Sequence, residues 1–447
     1  MALQDRAGNV TAHLDRLLKT GAMPPADRGL AREIALGALR HRGTLEAIRR
    51  AFLKQPGKRL AGAVDEITLV ALYQMLFLSR VPSHAAVNEA VNQAARFHHR
   101  RQTSFINGLL RSILRETQAP AKPPAPAAAD AVPLPDGRWR AMKRKVFPDP
   151  ARQPAEYLAA AYSLPEELAA RWLEMAGGLD AARRLANACN VRAPLIARVN
   201  TLQGNVAAAL EALAAEGVTA RPHANGRSVV LESEHNVEAV AAFRSGLLQP
   251  QDPTATDAAL AVAARPGERV LDFCAAPGTK TVLLAEEMRN EGHITAMDVS
   301  ISKRKRIVAG AERMGAEIIE TRPAEQAGGL APASFDAALV DAPCSNSGVL
   351  ARRAEARWRF EAGRLAKLDE DQRFLLAAAA VFVKPGGRLV YSTCSIEPEE
   401  NEQVVRAFLR GAEGWRQEGE KRTLPNGAAD GAQWHDGGYW ALLRRTA

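Results

Sequence analysis

Between residues 27 and 117 the apolar positions recur at three- and four-residue spacing, as in Ala31, Ile34, Ala35 and Leu39 and again in Ile67, Val70, Ala71 and Leu78. That period is one face of a helix, and the segment predicts an all-α unit of four to six helices punctuated by Pro24, Pro56, Gly57 and Pro82, with Ser83 as an N-cap. Residues 119–135 are almost wholly Ala, Pro, Lys and Asp, a composition that buries little, so 119–150 reads as a Pro/Ala-rich basic linker. Residues 157–177 and 179–190 are again helical. The period then changes to strand-like at 195–201, 218–222 and 228–231 around a helix at 206–216, a small α+β unit. From residue 252 short apolar strands (269–273, 293–298, 316–320, 335–340, 387–392) alternate with helices (281–288, 303–314, 369–382). Strands separated by helices of this length imply a parallel sheet wound on both faces. The expected organisation is multidomain: all-α at 1–118, linker at 119–150, small α+β at 151–248 and α/β Rossmann-like at 249–447.

The charge is placed unevenly along these units. The 447 residues carry a net +9, yet residues 1–150 hold 24 Lys and Arg against 12 Asp and Glu, while the remainder holds 35 against 38. A basic module beside a near-neutral one suits polyanion binding, although a solubilising excess of charge would look the same. Four cysteines, none in CxxC spacing, make neither a disulfide framework nor a zinc site, so a reducing cytoplasm and no metal are expected. No apolar run is long enough to span a bilayer, and no membrane partner is expected.

Candidate chemistry gathers at the strand ends. The strand ending in Asp272 and Phe273 runs into Cys274-Ala275-Ala276-Pro277-Gly278-Thr279-Lys280 and then a helix, and the next strand ends at Asp298. Small side chains let backbone approach a ligand, and an acid after the second strand can accept from ribose hydroxyls. The loop matches neither GxGxxG nor GxxxxGK[ST], which points to a nucleoside without a phosphate chain. Two later strands end in Asp341-Ala342-Pro343-Cys344 and in Ser392-Thr393-Cys394-Ser395. Buried free cysteines are commonly inert. Two of them with an acid at adjacent strand ends are what methylation at C5 of a pyrimidine requires, because C5 becomes nucleophilic only after a thiolate adds to C6.

These motifs, with Pro398-Glu399-Glu400-Asn401-Glu402, resemble the S-adenosylmethionine-dependent RNA cytosine-5 methyltransferases over residues 192–447. The N-terminal segment, including Arg32-Glu33-Ile34-Ala35 and Asn107-Gly108-Leu109-Leu110-Arg111, resembles the NusB-like RNA-binding helical domain. Together they resemble the RsmB (Sun/Fmu) type, which acts on small-subunit ribosomal RNA. The resemblance implies that Cys394 is the nucleophile and Cys344 assists product release. It further implies that Cys274, Ala275, Ala276, Pro277, Gly278, Thr279 and Lys280 cradle S-adenosylmethionine, that Asp298 holds its ribose, and that Asp341 lies between cofactor and base. RNA, ribosomal first, is the implied partner of a monomeric enzyme. The chain departs from the family in having Thr279 for a second Gly, no acid in Thr321-Arg322-Pro323, for which Glu320 or Glu325 would substitute, and Arg352-Arg353-Ala354-Glu355-Ala356-Arg357-Trp358 between the cysteine motifs. Arg and Trp there suit phosphate contact and base stacking.

Other signals read as structural: Lys303-Arg304-Lys305-Arg306 as a solvated helix face, His98-His99-Arg100-Arg101 as a basic surface turn, and Trp434 with Asp436-Gly437-Gly438-Tyr439-Trp440 as a closing hairpin. Amino-group methylation and a non-catalytic RNA-binding factor are the competing functions, beside the same chemistry on tRNA or on another ribosomal RNA cytosine. The first requires a (D/N)PPY motif that Ala342 and Cys344 interrupt, and the second predicts no binding of S-adenosylmethionine. If the basic first third supplies the salt-dependent RNA affinity, a chain beginning at residue 151 will bind cofactor normally and RNA weakly, with a shallower dependence of affinity on salt. Equal RNA affinity at the same salt would return the charge to a solubilising role.

Overall fold

The structure, a computed structural model, describes residues 10–20, 23–57, 60, 62–97, 100–232 and 237–446; His98 and His99 lie outside the described residues. The chain forms two compact units, Met1–Arg192 with Leu350–Phe360, and Ala193–Val349 with Glu361–Ala447.

The first unit opens with α1 (Val10–Thr20), α2 (Pro25–Arg40), α3 (Arg42–Ala51), α4 (Gly62–Phe77), α5 (Ser83–Arg96) and α6 (Thr103–Glu116). On α6 the buried residues are Ile106, Leu109, Leu110 and Ile113, the spacing of a single helix face. They join Leu45 and Ile48 of α3 and Leu72 and Leu76 of α4 in the interior. Strands β1 (Thr117–Ala121), β2 (Ala131–Pro133) and β3 (Trp139–Met142) then form an antiparallel sheet in the order β1-β3-β2, followed by α7 (Pro154–Tyr162), α8 (Glu166–Met175) and α9 (Leu179–Ala188).

This corrects the expected linker. Val132, Leu134, Met142, Val146 and Phe147 are all buried, and Arg140 Nε donates to the carbonyl of Leu76 at 2.8 Å. Strands of three to five residues are too short to register as periodicity, and the Ala and Pro content of 119–135 hides the apolar positions that follow it. The expected boundary at 150 is also absent, because α7 to α9 pack within this unit: Thr44 Oγ1 donates to Ala161 O at 3.1 Å and Gly43 N to Ser163 Oγ at 2.9 Å.

Residues Leu350–Phe360 also belong here. Arg357 is fully buried; its Nη1 donates to Arg40 O, Ser163 O and Asn190 Oδ1 and its Nη2 to Cys189 O, while Trp358 Nε1 donates to Leu39 O at 3.2 Å. Phosphate contact by Arg357 is thereby excluded, and the segment is an internal strut. A chain lacking residues 1–150 would leave that guanidinium without Arg40. Replacing the exposed Arg96, Arg111 and Arg115 by Gln is the version of the salt test that keeps the strut intact.

In the second unit a four-stranded antiparallel sheet of order β5-β6-β4-β7 comprises β4 (Leu195–Val199), β5 (Ala220–Pro222), β6 (Ser228–Leu231) and β7 (Leu248–Pro250), with α10 (Val206–Ala215) and α11 (Ala241–Arg244). The α/β part begins with α12 (Pro253–Leu260) and continues through β8 (Arg269–Asp272), α13 (Thr279–Glu287), β9 (His293–Asp298), α14 (Ile301–Met314), β10 (Ile319–Pro323) and β11 (Phe335–Asp341). It closes with α15 (Ala362–Ala380), β12 (Val383–Thr393), α16 (Glu402–Gly411), β13 (Trp415–Thr423) and β14 (Gly438–Arg445). The sheet order is β10-β9-β8-β11-β12-β14-β13; the first five strands are parallel and the last two form an antiparallel hairpin. Alternate residues serve opposite faces. Leu271, Ala338, Val340 and Leu389 pack with Leu376 of α15 and Val404 of α16, whereas Val270, Ala337, Leu339 and Val390 pack with Val282 and Leu284 of α13 and Met314 of α14.

The two sheets of this unit are joined by buried polar contacts. Arg198 pairs with Glu286, the side chains 1% and 0% exposed, and Arg198 Nε also donates to Gln251 Oε1 at 2.6 Å. Asn200 Nδ2 reaches Met314 O at 2.8 Å. Removing one partner of such a pair strands a buried charge, so Glu286→Ala should cost about 3–5 kcal/mol, read as a lower thermal midpoint, and Arg198→Met with Glu286→Leu should cost less than the single change.

Candidate active site

The loop after β8 is built for close backbone approach. Gly278 has φ +98°, and a Cβ there would lie 3.1 Å from Ile307 Cα of α14, so both conformation and space require glycine. Thr279, in the place of a second glycine, is the first residue of α13 and takes helical backbone without strain. Ala275 is buried and Ala276 half-buried, and the Cys274 thiol is pushed up by burial and by Asp272, Asp341 and Asp298, which makes it a poor nucleophile at neutral pH.

Asp272, absent from the candidates above, is 1% exposed at the end of β8. Its Oδ2 accepts from Thr281 Oγ1 at 2.7 Å, and its Oδ1 has no hydrogen-bond partner. Burial, opposed by the Thr281 bond and reinforced by Asp341, raises its carboxyl to about 7. An orphaned buried acceptor next to a glycine-tight loop is what a cationic nucleoside ligand would satisfy.

Asp298 ends β9, buried, with Oδ1 accepting from Ser300 N at 3.1 Å and facing Lys303 Nζ at 3.7 Å. Arg304 Nη1 donates to Asp298 O at 2.7 Å, so half of the basic run supports this strand end, while Lys305 and Arg306 are solvated. Glu320 is occupied by Arg322 and His293 inside the sheet edge and does not reach the strand end, which removes it as the missing acid. Glu325, exposed in the turn after β10, keeps the position open to it.

Asp341 at the end of β11 is the centre of the second cluster. Its Oδ2 accepts from Lys280 Nζ at 2.6 Å and its Oδ1 from Ser392 Oγ at 2.9 Å. Burial alone would lower the Lys280 ammonium; the Asp341 charge and hydrogen bond, with Cys394 and Asp272, raise it overall. Lys280 thus faces the acid and the Cys394 thiol. Cys344 Sγ lies 3.1 Å from Cys394 Sγ, and Cys394 Sγ lies 3.3 Å from Asn346 Oδ1. The hydrogen bond with Cys394, then burial, then the charges of Cys394 and Glu400 hold the Cys344 thiol well above its ordinary range. A small cleft is lined by Lys280, Asp341, Ser392, Thr393 and Cys394 together with Asp252, Asp436 and Gly437.

The residues that the motifs left out are Asp272, Asn346 and the partners of Glu400. Asn346 sits at φ +64°, a left-handed position that Asn tolerates, and its Nδ2 donates to Cys344 O at 2.9 Å. A Cys-Ser-Asn-Ser-Gly turn was the available signal.

Comparison with known proteins places these features together. Family models match residues 259–439 as "16S rRNA methyltransferase RsmB/F", residues 2–115 as "NusB family" and residues 164–238 as a ferredoxin-like domain of RsmF/B-like methyltransferases. The chain is 33% identical to the probable ribosomal RNA small subunit methyltransferase B of Bacillus subtilis, over 89% of this chain and 83% of that one. It is 32% identical to ribosomal RNA small subunit methyltransferase B of Vibrio cholerae, over 94% and 90%. The crystal structure of PH0851 superposes with a TM-score of 0.73 at 26% identity, covering 96% of this chain and 92% of that one.

The raised Asp272 carboxyl has a measurable sign. The fold favours its neutral form, so its contribution to stability is lost as pH rises from about 4 to about 7, a loss on the order of a few kcal/mol. Thermal midpoints of Asp272→Asn should therefore match those of the parent at low pH and exceed them above pH 7. An identical pH dependence for both proteins would refute the titration.

Proposed function

The chain belongs to the ribosomal RNA small subunit methyltransferase B family, and from that membership we propose that it transfers a methyl group from S-adenosylmethionine to C5 of a cytosine in small-subunit ribosomal RNA. The observation that carries the C5 assignment is the 3.1 Å approach of Cys344 and Cys394 beside the Lys280 and Asp341 pair. Amino-group methylation needs no thiol and would leave two adjacent cysteines idle.

S-adenosylmethionine, when bound, supplies an electrophilic methyl group. Residues 274–280 would hold it, with the orphaned Asp272 oxygen and Asp298 as acceptors for its amino and ribose groups. The chain's own residues do the rest. Cys394 is the attacking thiolate: Lys280 stabilises negative charge at its sulfur, while the hydrogen bond with Cys394, burial and the Glu400 charge hold the Cys344 thiol well above its ordinary range, so that it keeps its own proton. As the Cys394 Sγ–C6 bond forms, electron density moves to N3 and the exocyclic edge, and Asp341 and Lys280 present an acceptor and a donor to that edge. C5 then takes the methyl group. Release requires loss of the C5 proton while the Sγ–C6 bond breaks, which returns the electron pair to Cys394. The C5 proton passes to water, and Cys344, which holds the proton of the pair 3.1 Å from Cys394 Sγ, is placed to hydrogen-bond the departing sulfur and so assist release. The base must leave its stack to enter the cleft.

Cys394→Ala should abolish methylation and covalent trapping by RNA carrying 5-fluorocytidine. Cys344→Ala should still form the adduct and release it slowly, seen as an RNA-linked band in denaturing gels. Retained turnover by Cys394→Ala, or a product methylated on the exocyclic nitrogen by mass spectrometry, would sink the assignment.

A further inference from the structure

The reaction proposed above needs two thiols that differ in protonation and stay at one separation, yet they lie in loops that leave different strands. Both loops are fastened to a single buried side chain. Glu400, 0% exposed, lies in the turn Pro398–Glu400. Its Oε1 accepts from Ser345 N at 2.8 Å and from Gln372 Nε2 at 3.1 Å; its Oε2 accepts from Ser345 Oγ and from Ser395 Oγ, each at 2.5 Å. Ser345 directly follows Cys344, and Ser395 directly follows Cys394. Gln372 also donates to Pro343 O at 2.8 Å, so the residue before Cys344 is held from the same point. The acceptor capacity of the carboxylate is filled by these four donors.

The choice of an acid here requires a reason. All four donors are neutral, and among the described residues no cation pairs with Glu400. Burying a charge among neutral partners is unfavourable, and an amide would join two loops at lower cost. What the acid adds over an amide is a negative charge close to one thiol. The groups that face Cys344 are Cys394, Glu400 and the backbone N–H of Asn346, which alone favours its thiolate, with the Tyr391 hydroxyl beside Glu400; Lys280, paired with Asp341, acts on Cys394.

We propose that Glu400 is the positioning residue of this site: it sets the separation of the two thiols and keeps their shared proton on Cys344, leaving Cys394 as the thiolate beside Lys280. No electron transfer is involved; the pair gives one proton to solvent. The proposal rests on the cysteine chemistry above and deepens it.

Two variants separate charge from geometry. Glu400→Gln keeps the shape, and the serine hydroxyls can turn to meet its amide, but the charge is gone. Glu400→Asp keeps the charge on a shorter arm. The readouts are the pH of half-maximal iodoacetamide alkylation of Cys344, followed by mass spectrometry of its peptide, single-turnover methylation of a small-subunit ribosomal RNA transcript, and S-adenosylhomocysteine affinity. Glu400→Gln should lower the alkylation midpoint of Cys344 and slow methylation by about ten- to a hundredfold, with cofactor affinity within about twofold. Glu400→Asp should retain the parental midpoint and still lose rate. A parental midpoint and rate in Glu400→Gln would overturn the proposal. Should that variant fail to fold, an altered Cys344 midpoint in Glu400→Asp would overturn it, and a parental midpoint with reduced rate would support it. The Cys394→Ala control distinguishes the two levels: its continued activity removes the reaction itself, whereas an inert Cys394→Ala beside a parental Glu400→Gln removes only the role of Glu400.

Discussion

Strands β11 and β12 run parallel with Asp341 opposite Ser392, and both are buried where they pair, over Ala337–Val340 and Arg388–Ser392. A slip of one residue would turn every side chain of one strand to the wrong face, so packing on both sides of the sheet holds this register. Because the strands are parallel, their carboxyl ends lie together, and the chain leaves them at the same level. Cys344 is then three residues beyond Asp341 and Cys394 two beyond Ser392. The 3.1 Å contact between the thiols is a consequence of that register, tightened where Gly348 N donates to Cys394 O at 3.0 Å. A side chain at Gly348 would place its Cβ 2.8 Å from that same carbonyl oxygen.

What was legible in the sequence follows from range. The α/β alternation and the strand ends at Asp272, Asp298 and Asp341 depend on local period and on small-residue loops, and they stand where the pattern puts them, although β10 begins three residues later, β12 four earlier and α15 seven earlier than the period suggests; the hairpin expected within 434–440 is instead the pairing of 415–423 with 438–445, for which 434–437 is only part of the connection. The residues that the pattern missed act over distance. Glu400 was visible as part of a motif, but its work depends on Ser345, 55 positions away, which no local window contains. Asp272 looks like the last residue of an ordinary strand until the unpaired Oδ1 is seen.

The errors have the opposite cause, composition taken as environment. Ala and Pro between 119 and 135 suggest open chain, yet the neighbouring apolar residues at 131–147 give that stretch a core to pack on. Arg357 and Trp358 suggest nucleic-acid contact because both residue types commonly make it. Arginine has five donors, and a buried arginine can satisfy several carbonyls at once. Arg357 does this across α2, α7 and α9, where Arg40, Ser163, Cys189 and Asn190 supply the acceptors. Burial lowers its pKa to about 10, which still leaves it charged at neutral pH.

The same distinction refines the meaning of the basic first third. Charge that is buried against carbonyls neither meets phosphate nor responds to salt, and Arg40 and Arg49 are in that class at 8% and 6% exposed. Arg144 lies against Glu116 and over the Phe52 ring, and Arg32 pairs with Asp15. Any polyanion-binding capacity of this unit therefore falls to a smaller exposed set that includes Lys54, Arg80, Arg96, Arg111, Arg115 and Lys143, whose exposure would let a phosphate displace their water and counterions. Net charge overstates the electrostatic footprint because it counts the arginines that build the fold together with those free to act on a partner.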